Sequence, residues 1–70
     1  MAKKPIQLFA KKIRSYRKER HMSQAELANK AHVSNITISK IESGDNDNPT
    51  ILTLKNIAKV LKVDLIDLIK

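Results

Sequence analysis

Apolar residues recur along this chain at helical spacing, and each run is bounded by residues that start or stop a helix. Ile6, Phe9, Ile13 and Tyr16 follow one another at intervals of three, four and three. That spacing puts them on one stripe of a first helix, with Pro5 suited to its first position. The lysines and arginines of the same segment fall mostly on its other faces. Ser23-Gln24-Ala25-Glu26 opens a second helix as a capping box, in which the serine oxygen and the glutamate each satisfy an orphan backbone donor. Leu27, Ala28 and Ala31 form its apolar side. A third helix takes Ser34 as its cap, runs from about Asn35 to Ser43, and stops at Gly44, the only glycine, where a left-handed residue ends it at low cost. Asp45-Asn46-Asp47-Asn48-Pro49 is turn chemistry throughout. Thr50 is placed to cap a fourth helix carrying Ile51, Leu54, Ile57, Ala58 and Leu61 inward, and Asp64 to cap a last short one, Leu65 to Ile69.

No alternating run is long enough to insist on a strand. The pattern therefore predicts an all-α domain of four or five short helices spanning residues 1–70, with the basic segment 1–5 flexible. Only His32 and Val33 separate the second and third helices. Two helices joined so tightly must cross steeply instead of lying antiparallel, which is a helix-turn-helix over about residues 23–43.

The third helix has two unlike sides. Ile38 and Ile41, helped by Thr37, point one way, while Asn35, Ile36, Ser39, Lys40 and Ser43 form a continuous strip on the other. Short hydrogen-bonding side chains with one lysine suit the edges of bases in the major groove. Asn pairs with adenine, Lys with guanine, and an apolar group such as Ile36 meets a thymine methyl. Ile36 also fits an ordinary exposed isoleucine.

Composition sharpens this picture. There is no cysteine, so neither a disulfide nor a thiolate metal site can staple the fold, and His21 and His32 have no partner in ligand spacing. No metal or other cofactor is expected. The core must be aliphatic packing, since Phe9 and Tyr16 are the only aromatic residues. Charge is lopsided: residues 1–20 carry the whole formal net charge of +7, through eight basic residues against Glu19, and the remaining fifty balance. A positive flank beside a neutral body fits a polyanion binder, which gains by releasing condensed counterions, and equally fits a solvated charged face. No stretch approaches a membrane span and no secretory leader is evident, so a cytoplasmic location is expected. A basic first helix that keeps its apolar stripe for the core is a poor membrane anchor. An enzyme is not expected, for lack of a glycine-rich phosphate loop, a cysteine nucleophile, or a serine with a histidine base in sequence context.

Met22-Ser23-Gln24-Ala25-Glu26-Leu27-Ala28, then Val33-Ser34, then Thr37-Ile38-Ser39-Lys40-Ile41-Glu42-Ser43-Gly44 resembles the Cro/C1 (XRE) helix-turn-helix family of the lambda-type repressors. The likeness runs on through Asn48-Pro49-Thr50, Thr53-Leu54, Ile57-Ala58 and Leu61-Lys62-Val63, and back to Ile13-Arg14 and Arg17. It implies a five-helix fold and a bacterial or phage transcriptional regulator, repressor-like, that reads duplex DNA with the helix at Ser34–Ser43. It further implies that Gln24 bonds a backbone phosphate and braces the start of the recognition helix. Asn35, Ile36 and Lys40 would touch bases, with Thr37 and Ser39 at the edge of the contact. Arg17 and Glu42 would form an ion pair, making Arg17 structural. His21, His32 and Lys62 stand where the family most often has glycine, so all three should adopt positive φ. The acidic loop Asp45 to Asn48 departs from relatives that set basic or neutral groups against phosphate.

One such domain reads too few base pairs to specify an address, so pairing is expected. Leu52, Val60, Ile66 and Ile69 are surplus to the inward faces of the last two helices. They fit a homodimer interface presenting two recognition helices about 34 to 36 Å apart, or a chain end folded over on itself. A protein partner, such as a toxin bound by an antitoxin-like regulator, is compatible with the same fold.

Overall fold

The computed structural model describes residues 8–45 and 49–69. The segment 1–5 with Pro5, Ile6, and the loop residues Asn46, Asp47 and Asn48 lie outside the described residues. The described chain forms α1 (Leu8–Glu19), α2 (Gln24–Lys30), α3 (Asn35–Ser43), α4 (Ile51–Leu61) and α5 (Leu65–Ile69), with no strand among the described residues.

The helix starts follow from the caps. Ser23 Oγ accepts from Glu26 N at 3.0 Å, Ser34 Oγ from Thr37 N at 3.0 Å, and Thr50 Oγ1 from Thr53 N at 3.1 Å. Each hydroxyl takes up one of the four donors a helix start leaves unpaired. At α5 the expectation needs correcting. The bond runs the other way, from the Asp64 backbone N–H to the Asp67 carboxylate at 3.1 Å, so the reaching-back half of a capping box is made by the third helical residue. The Glu26 carboxylate, by contrast, lies 3.6 Å from Lys30 Nζ, an i, i+4 pair along α2.

Three helices end in the same way. His21, His32 and Lys62 have φ of 56°, 61° and 61°, as the departures from glycine require. In each case the residue after the left-handed one sends its N–H back five residues, from Met22 to Arg17 O, Val33 to Ala28 O and Val63 to Ala58 O. The left-handed residue itself bonds three back, to Lys18, Asn29 and Lys59. This is the Schellman closure, and its usual apolar contact is present, since Met22, Val33 and Val63 all pack against the core. Gly44, with φ 90°, closes α3.

Ile13, Leu27, Ala28, Ala31, Ile38, Ile41, Leu54, Ile57, Ala58, Leu61 and Leu68 make one buried cluster, bordered by Phe9 and Tyr16. Each fully buried Ile or Leu contributes roughly 1.5–3 kcal/mol through area removed from water. Two apolar assignments shift. Ile51 is 59% exposed instead of inward: side chains tilt toward the helix N-terminus, so the first residue of α4 projects past the layer that Leu54 enters. Val60, assigned to the outer surface, is partly buried against the core. Leu52, Ile66 and Ile69 remain exposed.

Candidate nucleic-acid interface

The recognition candidate is α3, and its two sides are separated by burial. Ile38 and Ile41 are fully buried, which fixes the rotation of the helix about its axis. Asn35, Ile36, Ser39, Lys40 and Ser43 are then all exposed, with Ile36 at 67%. Thr37 is half-buried at the boundary, its hydroxyl 2.8 Å from that of Ser34. Ser34 is therefore committed to the cap while remaining exposed at the helix end. Ser43 is also engaged locally, donating to Lys40 O at 3.1 Å and accepting from Asp45 N at 3.3 Å.

Behind this strip a charged network locks α3 to α1 and α2. Arg17 Nε and Nη2 donate to the two oxygens of Glu42 at 2.7 and 3.0 Å, and Arg17 Nη1 donates to the Met22 carbonyl at 2.7 Å. The side chains are only 11% and 4% exposed, so this is the planar fork-to-carboxylate geometry that arginine alone provides. Accepting those hydrogen bonds, the Glu42 carboxylate raises the Arg17 pKa above its ordinary value; burial opposes the shift and Coulomb attraction adds to it. The guanidinium thus stays charged at any pH at which the fold would work. Gln24 joins the same network, its Nε2 donating to Glu42 Oε1 at 3.2 Å. The glutamine expected to brace the start of the recognition helix is instead tied to its last turn.

Arg14, Arg17, Gln24, Ser39, Glu42 and Ser43 line a cavity of about 210 Å³ between α1, α2 and α3. Arg14 lies three before Arg17, which puts both on one side of α1. A larger open groove of about 460 Å³, lined by Leu52, Lys55, Lys59, Val63 and Leu65 among others, involves none of the α3 strip. His21 and His32 are exposed turn residues, and among the described residues no group of three or more His, Cys, Asp or Glu could hold a metal ion. No helix among them is long and apolar enough to cross a membrane.

Comparison with known proteins accords with this geometry. The helix-turn-helix family pattern matches residues 13–68. The Bacillus subtilis HTH-type transcriptional regulator SinR is 38% identical over 58 residues, 83% of this chain and 52% of SinR. RghRB of the same bacterium, an uncharacterised HTH-type transcriptional regulator, is 40% identical over 55 residues, 79% of this chain and 40% of its own length. The chain thus spans about half or less of the length of these relatives. In structure, the N-terminal DNA-binding domain of SinR superposes with a TM-score of 0.87 at 36% identity, covering 90% of this chain and 91% of that one. SinR has also been solved in complex with DNA and with the SinI protein. The P22 c2 repressor, solved with a synthetic operator, gives 0.83 at 33% identity, covering 91% and 96%. The same fold makes up 36% of a hydroxypropylphosphonic acid epoxidase from S. wedmorenis, at 26% identity and a TM-score of 0.82, so the fold by itself does not assign a chemistry. Matched across five helices and most of its length, the chain belongs to the helix-turn-helix family, in its Cro/C1 (XRE) branch.

Proposed function

We propose that residues 1–70 form one DNA-binding domain of a repressor-like transcriptional regulator, which reads duplex DNA in the major groove with α3. The observation that carries this reading is the separation of the two sides of α3: Ile38 and Ile41 are fully buried while Asn35, Ile36, Ser39 and Lys40 are all exposed. Base contacts are assigned to Asn35, Ile36 and Lys40, with Ser34, Thr37, Ser39 and Ser43 at the margin and Gln24 on the backbone. Similarity to SinR and the P22 c2 repressor, both solved with DNA, supports the assignment. The kinship is with regulators, which supports a non-enzymatic role in a bacterial cytoplasm. The test is selection of bound sites from a random duplex pool. Asn35→Ala and Lys40→Ala are expected to change which bases are preferred, whereas Lys11→Ala lowers affinity evenly across sequences. Equal losses on every sequence from all three would refute base reading by α3.

The working form is assigned as a homodimer through Leu52, Ile66 and Ile69, which are 67%, 55% and 49% exposed, together with Val60, which is partly buried against the core. An exposed apolar set of this kind is what a self-complementary interface buries. A second reading, a protein partner such as a toxin on the same surface, is supported by the solved SinR and SinI pair. Co-purification of a second chain, with sedimentation showing no homodimer, would favour it.

A further inference from the structure

The groove of about 460 Å³ has two unlike walls. Leu52, Lys55, Asn56 and Lys59 form one, at i, i+3, i+4 and i+7 along α4, and so share one face of that helix. Val63, Asp64 and Leu65, where the chain turns into α5, form the other. No acidic residue occurs in α4, and Lys55 and Lys59 are exposed with no hydrogen bond or ion pair among the described residues. Whereas α2 pairs Lys30 with Glu26 at i, i+4, α4 sets two lysines at that spacing. Like charges so placed destabilise a helix slightly, and an anionic pair from outside would relieve them. The two ammonium groups spring from positions about 6 Å apart along the axis, the separation of two carboxylates at i, i+4 on another helix laid alongside.

A nucleic-acid backbone fits this groove less well. Asp64 stands on the facing wall, and Phe9 and Tyr16, the only aromatic residues on which a base would stack, line none of it. Leu52, at 67% exposure, and the half-buried Val63 and Leu65 offer apolar contact instead. A second copy fits less well too, since no two acidic residues of this chain stand four apart.

We propose that the groove docks an amphipathic helix of a second protein, which sets two carboxylates one turn apart against Lys55 and Lys59 and an aliphatic side chain onto Leu52, Val63 and Leu65. This is helix-in-groove recognition through anchors at helical spacing. Asp64 repels a carboxylate placed on the wrong edge, which fixes the rotation of the incoming helix. Ile66 and Ile69 do not line the groove, so it shares only Leu52 with the proposed homodimer face, and it takes no residue from α3. The inference is therefore independent of the DNA-binding reading.

The experiment is selection from a displayed library of randomised helical peptides of about 15 residues against the full chain without DNA, followed by fluorescence anisotropy on the enriched sequences as labelled peptides. Enriched peptides should carry Asp or Glu at i, i+4 beside an aliphatic residue. Lys55 and Lys59 are exposed, so Lys55→Glu/Lys59→Glu should melt like the parent while weakening peptide binding at least about tenfold. Peptides whose two acids are changed to lysine should bind that variant and not the parent. Lys11→Glu/Lys18→Glu, the same change of charge on the exposed face of α1, should leave peptide binding unchanged. No enrichment, enriched peptides without the acidic pair, or equal losses from the two double variants would overturn the docking site. So would a homodimer that dissociates in Lys55→Glu/Lys59→Glu without peptide, which makes a second copy the occupant. A greater loss of duplex binding from the groove variant than from the α1 variant makes the face a nucleic-acid contact and overturns it as well.

Discussion

Replacing Glu42 by Ala should be among the most damaging single changes available in this protein. It removes both acceptors of Arg17, at 2.7 and 3.0 Å, and the acceptor of Gln24 at 3.2 Å. The guanidinium is left 11% exposed with the Met22 carbonyl as its remaining partner. Breaking a buried pair from one side costs about 3–5 kcal/mol, because the survivor is an uncompensated buried charge. The Met22 bond and the open edge of Arg17 place this case near the low end, about 3 kcal/mol. A chain of this length should have about 4–10 kcal/mol in total, so a large share of its stability is lost, and the melting temperature falls by about 12–24 °C. Arg17→Met should cost as much at neutral pH, since it strands a carboxylate that is 4% exposed. The double variant Arg17→Met/Glu42→Leu leaves no stranded charge and should cost far less than the two single changes added together. Urea titrations followed by circular dichroism at neutral pH measure all of this. A loss under about 1 kcal/mol for Glu42→Ala, or additivity in the double variant, would refute the argument that the buried network holds α3.

Further outcomes follow from the caps, the turns and the exposed apolar set. His32→Gly relieves a left-handed non-glycine residue at φ 61° and should keep or raise the melting temperature; the relief of about 1–2 kcal/mol is partly offset by glycine's greater freedom when unfolded, and a clear drop in a thermal scan would contradict the assigned turn. Ser34→Ala removes the acceptor of Thr37 N and should lower stability by about 1 kcal/mol in the same scan, with Ser34→Gly costing only a few tenths. Ile66→Ser with Ile69→Ser should shift the chain toward monomer in sedimentation velocity at tens of micromolar and weaken binding to a two-half-site duplex more than to a single half-site; a parent that is monomeric with and without such DNA would dismiss the homodimer. The salt dependence of DNA binding should be shallower per chain than a slope of about −7, the value eight phosphate-neutralising cations would give, because Arg17 is already paired.

Much of the fold was legible because local signals agreed with one another. Ser23, Ser34 and Thr50 each precede an apolar run at helical spacing, and each caps a helix. The outward strip of α3 could be read because Ile38 and Ile41 fix the rotation of that helix, and burial alone then determines what faces solvent. What escaped the sequence depends on where an element ends in space. Ile51 sits on the right stripe of α4, but about one turn too early to reach the core. Asp64 has the chemistry of a cap, yet Asp67 makes the bond at that end. Ala10 is fully buried on α1, unremarked because a small side chain adds little to an apolar pattern. The Arg14 crevice needs three helices to exist at all, so no local window contains it.

The basic character of the first segment is a weaker guide to DNA than its count of charges suggests, because position decides what each cation can do. Arg17 faces inward and spends its charge on Glu42. Arg20 lies over the Tyr16 ring at 5.2 Å, bonds the Tyr16 carbonyl at 3.1 Å and lies 3.6 Å from the Glu19 carboxylate, so its field is partly used within α1. Arg14, one turn from Arg17 and on the same side of the helix, opens onto the crevice beside the recognition strip. Removing charge from the surface at Arg17 and leaving it at Arg14 turns a diffuse positive flank into a located one. Diffuse charge attracts any polyanion, whereas on the proposed reading a charge fixed beside α3 sets which base pair Asn35 and Lys40 would meet. The buried ion pair holds α3 in place and, on the proposed reading, would also withhold a cation and an anion from the surface where the DNA backbone would pass.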